Sequence, residues 1–238
     1  MNRNRETFCV RQQFAYVMIA IAVLASTPVW AQRNVIEPSP EKLAAATRAL
    51  TILRNPGSYV LVRDLVDNRA GFDGVQVTAS NVTIDMQGFS IIGTVAGTGI
   101  GINATGQSNV VIRNGIITGM SGGAIVTGAN ATIADITASG NSTAGAGNPA
   151  SIQAGNGSNI SDTSVTTGAT GGIGCGIGCL VRGDVLQSNA GIGITLGDQT
   201  SGYSGNVLQA NDSMTVGATG QISGGTSIGP NVCNGTAC

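Results

Sequence analysis

The chain is poor in the residues that fill an ordinary globular core. Among its 238 residues there is no histidine, there is one tryptophan, and aromatic residues make up 3%. So few aromatic side chains exclude a thick, bulky core. Isoleucine, valine and alanine stacked in layers can still fill a thin one. The 37 glycines fit the same picture, because they permit the positive-φ turns that many short strands require.

Basic residues are also scarce. Eight of the eleven Lys and Arg and eleven of the twelve Asp and Glu follow residue 31, which leaves a net charge of −3 for that part of the chain. Nucleic-acid binding needs a basic stripe, so nucleic acid is excluded as a partner. After residue 31 there is no apolar run long enough to cross a membrane.

The first 31 residues have the pattern of a signal peptide. Arg3, Arg5 and Arg11 precede an apolar run over 14–25, and Val29-Trp30-Ala31 offers small residues at the cleavage positions. We expect Gln32 to be the new N-terminus. The alternative is a signal anchor, for which the run is short. The prediction is export, to the periplasm or the medium, with the cell surface as a further destination.

Four cysteines follow the signal peptide. An even number in an exported chain predicts disulfides, and four cysteines allow three connectivities. We favour Cys233 with Cys238 as a terminal clasp, and Cys175 with Cys179. A zinc site is the alternative, but the chain has no histidine and its cysteine spacings do not match a tetrahedral set.

The segment 32–57 differs from the rest of the chain and predicts a capping helix. Ser39, Pro40 and Glu41 are typical of a helix start. Apolar residues then follow at helical spacing, namely Leu43, Ala46, Leu50 and Leu53. Asn55-Pro56-Gly57 would end the helix. Such a helix could cover the open end of a solenoid.

A six-residue phrase recurs through the remainder, 58–238. It occurs over 109–114, 130–135 and 206–211, with weaker copies from Asn81, Asn159 and Cys179. Each copy has alternating apolar positions and is preceded by a Gly-Ile element, which indicates short strands separated by turns. Recurrence at this period predicts an all-β fold, a single-stranded parallel β-helix of about eight coils with loop insertions at 92–99, 141–149 and 198–205. Stacked coils would place the asparagines above one another, and we predict a ladder of Asn81, Asn109, Asn130, Asn159 and Asn206.

Three further stretches carry a family resemblance: 57–61, 81–89 and the ending 229–238. They resemble exported bacterial right-handed parallel β-helix proteins of the pectin-lyase-like superfamily. The resemblance implies a right-handed coil and a polysaccharide as partner. It implies no single activity, since the superfamily includes lyases, hydrolases, epimerases, adhesins and inactive stalks. Lyases of the superfamily combine a calcium site made of carboxylates with a basic residue. The carboxylates of the present sequence are not clustered. We therefore predict no cofactor, and a calcium site lacks support.

Aligning the coils on the phrase gives the candidate catalytic residues. Asp85 and Arg113 share an offset, which predicts an exposed cross-strand ion pair or, alternatively, a base beside a metal ligand. Asp135 and Asp184 share another offset two anchors apart, roughly 9.6 Å. That distance suits the acid and base of an inverting glycosidase. The plainer interpretation is that both are ladder or turn residues.

These observations favour an exported module that binds carbohydrate or serves a structural role at the cell surface, without catalysis. The first alternative is a polysaccharide lyase or glycan hydrolase that uses Asp135, Asp184 and Arg113. The second is an adhesin-like protein that associates with itself. Two aromatic residues near loops, Phe72 and Tyr203, could stack on a sugar ring, although packing is their more usual role.

Overall fold

The computed structural model describes residues 33–38, 46, 48–94, 99–141, 150–211 and 221–238. These residues all belong to one unit, Gln32–Cys238. The predicted signal peptide lies outside them. The strands are β1 (Asn34–Ile36), β2 (Ala49–Leu53), β3 (Gly57–Leu61), β4 (Leu65–Asp67), β5 (Asp73–Val77), β6 (Val82–Asp85), β7 (Ser90–Gly93), β8 (Ile102–Ala104), β9 (Val111–Thr118), β10 (Ile125–Thr127), β11 (Thr132–Ser139), β12 (Ala150–Ala154), β13 (Asn159–Ser161), β14 (Ser164–Thr166), β15 (Gly171–Cys175), β16 (Leu180–Arg182), β17 (Val185–Gln187), β18 (Ile194–Leu196), β19 (Gly202–Ser204), β20 (Val207–Gln209), β21 (Ile222–Ser223), β22 (Thr226–Ser227), β23 (Val232–Cys233) and β24 (Thr236–Ala237).

The strands form a parallel solenoid with three faces. Face 1 is an eight-stranded sheet in the order β2-β5-β8-β10-β12-β15-β18-β21. Face 2 contains β1, β3, β6, β13, β16, β19, β22 and the first halves of β9 and β11. Face 3 contains β4, β7, β14, β17, β20, β23, β24 and the second halves of β9 and β11. Each coil visits the faces in that order, and β9 and β11 run unbroken from face 2 into face 3. The predicted β-helix is therefore confirmed.

Each face contributes a column of inward side chains to one thin core. Face 1 supplies an almost unbroken isoleucine column: Val75, Ile102, Ile125, Ile152, Ile173 and Ile194. Face 2 supplies Ile84, Ile112, Ile133, Ile160 and Val181. Face 3 supplies Leu65, Ile91, Ile117, Ala138, Val165, Leu186, Leu208 and Cys233. All of these are at most 1% exposed, so aliphatic layers take the place of an aromatic core.

In five successive coils, from β9 to β20, the corner between faces 2 and 3 is made by one residue in the left-handed region. These residues are Asn114, Asp135, Asp162, Gly183 and Gly205, with φ between 54° and 71°. Glycine, asparagine and aspartate tolerate that conformation better than other residues. The corner therefore explains why the final position of the repeated phrase holds Asn in one coil and Asp in the next.

The predicted capping helix is wrong over its second half. Leu50 and Leu53 lie in β2, which pairs in parallel with β5 through Leu53 and Val77. Pairing along a sheet edge and burial of β2 outweigh an apolar spacing that a helix would also accommodate. The start of that helix, 39–45, lies outside the described residues.

One of the three predicted insertions is also wrong. The stretches 92–99 and 141–149 overlap the connections from face 3 to face 1 that precede β8 and β12. The stretch 198–205 instead contains β19. The third long connection joins β20 to β21, and it leaves from the same corner as the other two.

Candidate functional site: an uncharged strip on face 3

The outer surface of face 3 presents two columns of side chains without a charge. The first column contains Ser90, Ile116, Thr137, Ser164, Val185, Val207 and Val232. The second contains Val66, Ile92, Thr118, Ser139, Thr166, Gln187 and Gln209. We call these fourteen residues the strip. Apart from Ser90 at one end, the hydroxyl groups lie near its centre, and aliphatic or amide side chains lie toward its ends.

The strip is regular because every coil contributes residues i and i+2 of one strand. Parallel strands repeat at about 4.8 Å and a strand rises about 3.3 Å per residue, so the strip measures roughly 30 Å by 7 Å between Cα positions. Five of its six apolar members are well exposed, from 38% for Ile116 to 54% for Val66, and the sixth, Ile92, is half-buried. Within it, the Ser139 hydroxyl donates to Thr118 Oγ1 at 3.2 Å. A continuous apolar and hydroxyl surface of this length is typical of an interaction site.

The neighbouring surfaces differ from the strip. Face 2 carries charge on its outside, at Asp85, Arg113 and Arg182. The outward column of face 1 is interrupted by Gly174, which has no side chain. At the corner beside the strip, Asp135 and Asp162 are exposed. The carboxylates of Asp135 and Asp162, which are hydrogen-bond acceptors, therefore lie along one side of the uncharged strip.

The predicted contact between Asp85 and Arg113 is confirmed. The two residues pair across β6 and β9, and the guanidinium lies 3.1 Å from the carboxylate. Burial raises the pKa of Asp85, but the Gln87 N–H, the Asn114 amide and Arg113 more than offset this and lower it overall. Arg113 is 46% exposed. The Asp85 side chain is only 12% exposed, so this ion pair lies on face 2, away from the strip, with its carboxylate largely covered.

Asp135 and Asp184 do not share an offset, and this corrects the alignment on which the hydrolase hypothesis depends. Asp135 is exposed at the corner, where its column continues to Asp162 and Gly183. Asp184 lies one residue further along and is fully buried. Burial, the largest effect, raises the pKa of Asp184 to about 7. One carboxyl group faces solvent and the other faces the core, so the structure brings no acid and base pair together here.

The predicted stacking of asparagines is confirmed for the first members of the ladder and wrong for its last two, and the first members lie at the surface and are not turned inward as expected. Asn109 donates its amide to Asn81 Oδ1 at 2.8 Å, and Asn130 continues their column. Asn159 pairs with Thr132, two residues beyond that column. Asn206 belongs to face 3 and is buried. The repeat drifts because connections of different length shift each copy relative to the coil.

Two buried amide ladders instead bracket the strands of face 3. One contains Asp184, Asn206 and Asn231, and the other contains Asn141, Asn189, Asn211 and Gln221. Their side-chain oxygens accept N–H groups from the preceding coil, as Asn206 Oδ1 does from Asp184 at 2.9 Å. A signal for them is present in the sequence: 184–189 reads Asp-Val-Leu-Gln-Ser-Asn and 206–211 reads Asn-Val-Leu-Gln-Ala-Asn. The stretch 206–211 matches 184–189 more closely than it matches 109–114, with which the repeated phrase had aligned it.

Both disulfides have the predicted connectivity. Cys175–Cys179 has an S–S distance of 2.08 Å and Cys233–Cys238 one of 1.99 Å. Disulfides are typical of oxidising, extracytoplasmic compartments. Over the described ranges, no group of three or more His, Cys, Asp or Glu side chains is placed to hold a metal ion. In the same ranges, no helix is long and apolar enough to cross a membrane.

The coil, its parallel ladders and its layered core define a class: the chain is a parallel β-solenoid of the β-helix type. Comparison with protein-family models, with curated proteins and with solved structures gives no match.

Proposed function

We propose that the chain is an exported binding module without catalysis, and that its strip binds an extended, neutral polysaccharide. The observation that carries this proposal is the absence of charge at fourteen successive outward positions of face 3. A charged polymer would gain nothing from such a surface, whereas sugar rings offer both apolar faces and hydroxyl groups. A glycosyl unit is about as long as the spacing between coils, so a chain laid across the strands could present one sugar to each coil.

Two finer expectations belong to this proposal. The coil is right-handed, since crossover connections between parallel strands of one sheet are right-handed in roughly 98% of cases. The chain is related to the pectin-lyase-like superfamily, on the strength of the stretches 57–61, 81–89 and 229–238 together with the solenoid architecture. The rival hydrolase using Asp135, Asp184 and Arg113 has no common groove in its favour.

A substitution in the middle of the strip tests the proposal. Thr137→Arg places a long cation on the outer surface of face 3, and Thr132→Arg places the same side chain outside face 2 on the same strand, β11. We expect Thr137→Arg to weaken binding to neutral insoluble glycans, such as cellulose, xylan or chitin, by roughly tenfold or more. Thr132→Arg should bind like the parent protein.

Equal binding by the two variants would contradict the proposal, as would binding by the parent to polygalacturonate alone. Release of reducing ends or of unsaturated products from the same glycans would show catalysis and favour the rival. A protein that binds no glycan, but whose sedimentation shows self-association abolished by Thr137→Arg, would favour the adhesin-like alternative.

A further inference from the structure

The buried ladder at the start of the face 3 strands contains one residue of a different kind. Asn206 and Asn231 occupy the ladder in two successive coils, and Asp184 occupies the same position in the coil before them. Asp184 is 0% exposed. Its Oδ1 accepts the Thr163 N–H at 2.8 Å, as each amide oxygen of the ladder accepts an N–H from the preceding coil. Its Oδ2 is buried and no donor lies within hydrogen-bond geometry of it, although the backbone N–H of Arg182 is close enough to lower the pKa of the carboxyl group.

The ladder amides indicate what belongs at the position of that second oxygen. The Nδ2 groups of four buried asparagines each donate to a backbone carbonyl of the preceding coil: Asn141 to Ile117, Asn189 to Val165, Asn206 to Val181 and Asn211 to Leu186. In these four cases the carbonyl belongs to the partner of the residue three positions before the asparagine. Asn231, in the last coil, instead donates to the Gly229 carbonyl and the Ser227 hydroxyl of its own coil. For Asp184 the residue three positions before is Val181, whose partner is Ile160. Asp184 Oδ2 therefore lies where the asparagines have a hydrogen-bond donor, Nδ2.

We propose that Asp184 is built into the ladder as a neutral carboxylic acid that donates from Oδ2 to the Ile160 carbonyl, and that loss of this proton loosens the solenoid around β17. A protonated carboxyl group has one donor and one acceptor, and so it matches the hydrogen bonding of an asparagine amide. An ionised carboxylate has acceptors only, and it would bury an unpaired charge against a carbonyl.

The electrostatic surroundings agree with this assignment. Burial is the largest effect on Asp184, the nearby Asp162 carboxylate adds to it, and the pKa rises to about 7 despite backbone N–H groups that lower it. Arg182, on the preceding strand, contributes through its backbone N–H and points outward. On the next coil the titratable side chain of β19 is Tyr203. Strands β14, β18 and β20 contain no titratable residue, and the one cysteine of β15, Cys175, is in a disulfide.

The expected effect on stability has a definite sign. The folded state holds the Asp184 proton up to about pH 7, whereas the unfolded chain releases it near the ordinary value of 3.8. Between these values the folded state binds more protons than the unfolded state, so the contribution of Asp184 to stability falls as the pH rises. This trend is opposite to that of a paired surface carboxylate such as Asp85.

Two measurements on the full chain test the proposal. A carboxyl ¹³C NMR titration of the parent protein should give Asp184 a midpoint near 7, and a midpoint near 4 would overturn the proposal. The urea midpoint of the parent should fall between pH 5 and pH 8. Asp184→Asn should remove that fall, while Asp135→Asn, at the exposed corner, should keep it.

If the urea midpoint of Asp184→Asn falls between pH 5 and pH 8 as that of the parent does, the proposal is overturned as well. Should that variant fail to fold, the NMR midpoint of the parent still decides. Neither readout involves a glycan, so the outcome is independent of the proposed function.

Discussion

At the scale of single residues, the position of a polar side chain relative to the corner decides its role. Asp135, Asp162 and Asp184 lie in successive coils within one residue of the same corner. The first two occupy the left-handed turn and face solvent. The third lies one step further along the chain and is enclosed by the core. Residues of one type therefore act as turn formers or as ladder members.

Asn206→Ala should be costly, because its amide holds three groups together. It accepts the Asp184 N–H, donates to the Val181 carbonyl and donates to Asn231 Oδ1. Leaving buried partners unpaired costs about 1–3 kcal/mol each, so we expect a loss of roughly 3 kcal/mol or more in urea unfolding. Gln209→Ala, at the exposed end of the same strand, is the control and should change stability by less than about 0.5 kcal/mol. Similar losses for the two variants would contradict the ladder's contribution.

At the scale of elements, the two disulfides occupy different environments. Cys175–Cys179 is buried at the corner between faces 1 and 2. Cys233–Cys238 ties β24 back onto β23, and this antiparallel pair lies at the C-terminal edge of face 3. An uncovered parallel edge can pair with another chain. The terminal disulfide therefore holds a short strand over an edge, whereas the internal one fills the core.

Removing each disulfide should consequently have a different result. Both close short loops, and the loop-entropy relation gives about 2 kcal/mol of stability for each. We expect Cys233→Ser/Cys238→Ser to increase self-association as well, because β24 is released from the edge. Cys175→Ala/Cys179→Ala should lose stability without that increase. Light scattering at matched concentration distinguishes the two, and a larger oligomer fraction in the internal double variant would count against this account of the edge.

At the scale of the whole molecule, the coil sorts side chains by face. Arg113 and Arg182 lie outside face 2, and Asp135 lies at the corner beside the strip, which itself carries no charge. Asp67 of β4, on face 3, is buried. From β2 onward, the three longest connections between strands all leave from face 3 at its corner with face 1. In repeat proteins, insertions on one side often accompany a binding surface. The strip therefore lies on the face from which these connections leave.

Binding through the strip should be nearly insensitive to salt. Attraction between charged groups is screened within about 10 Å at 0.1 M ionic strength, whereas apolar and hydroxyl contacts are not. We expect the dissociation constant for a neutral glycan to change less than about twofold between about 0.05 and 0.5 M NaCl. Isothermal titration with a soluble oligosaccharide measures this. A steep loss of affinity would instead indicate the charged outer surface of face 2, around Arg113 and Arg182.

The amino-acid sequence by itself determined the class of fold and the first ladder members, whereas it allowed three disulfide connectivities and only favoured the one that the structure shows. The first two could be determined because alternating Ile and Val with Asn and Gly at turns are local properties of the chain. Only the tertiary structure decided which face each residue occupies. Connections of unequal length shift the phrase by one or two residues, and a shift of one residue in a strand moves a side chain from the surface into the core. For that reason Asp135 and Asp184 looked equivalent in the sequence, Leu50 and Leu53 looked helical, and the strip could not be recognised until the coils were stacked in register.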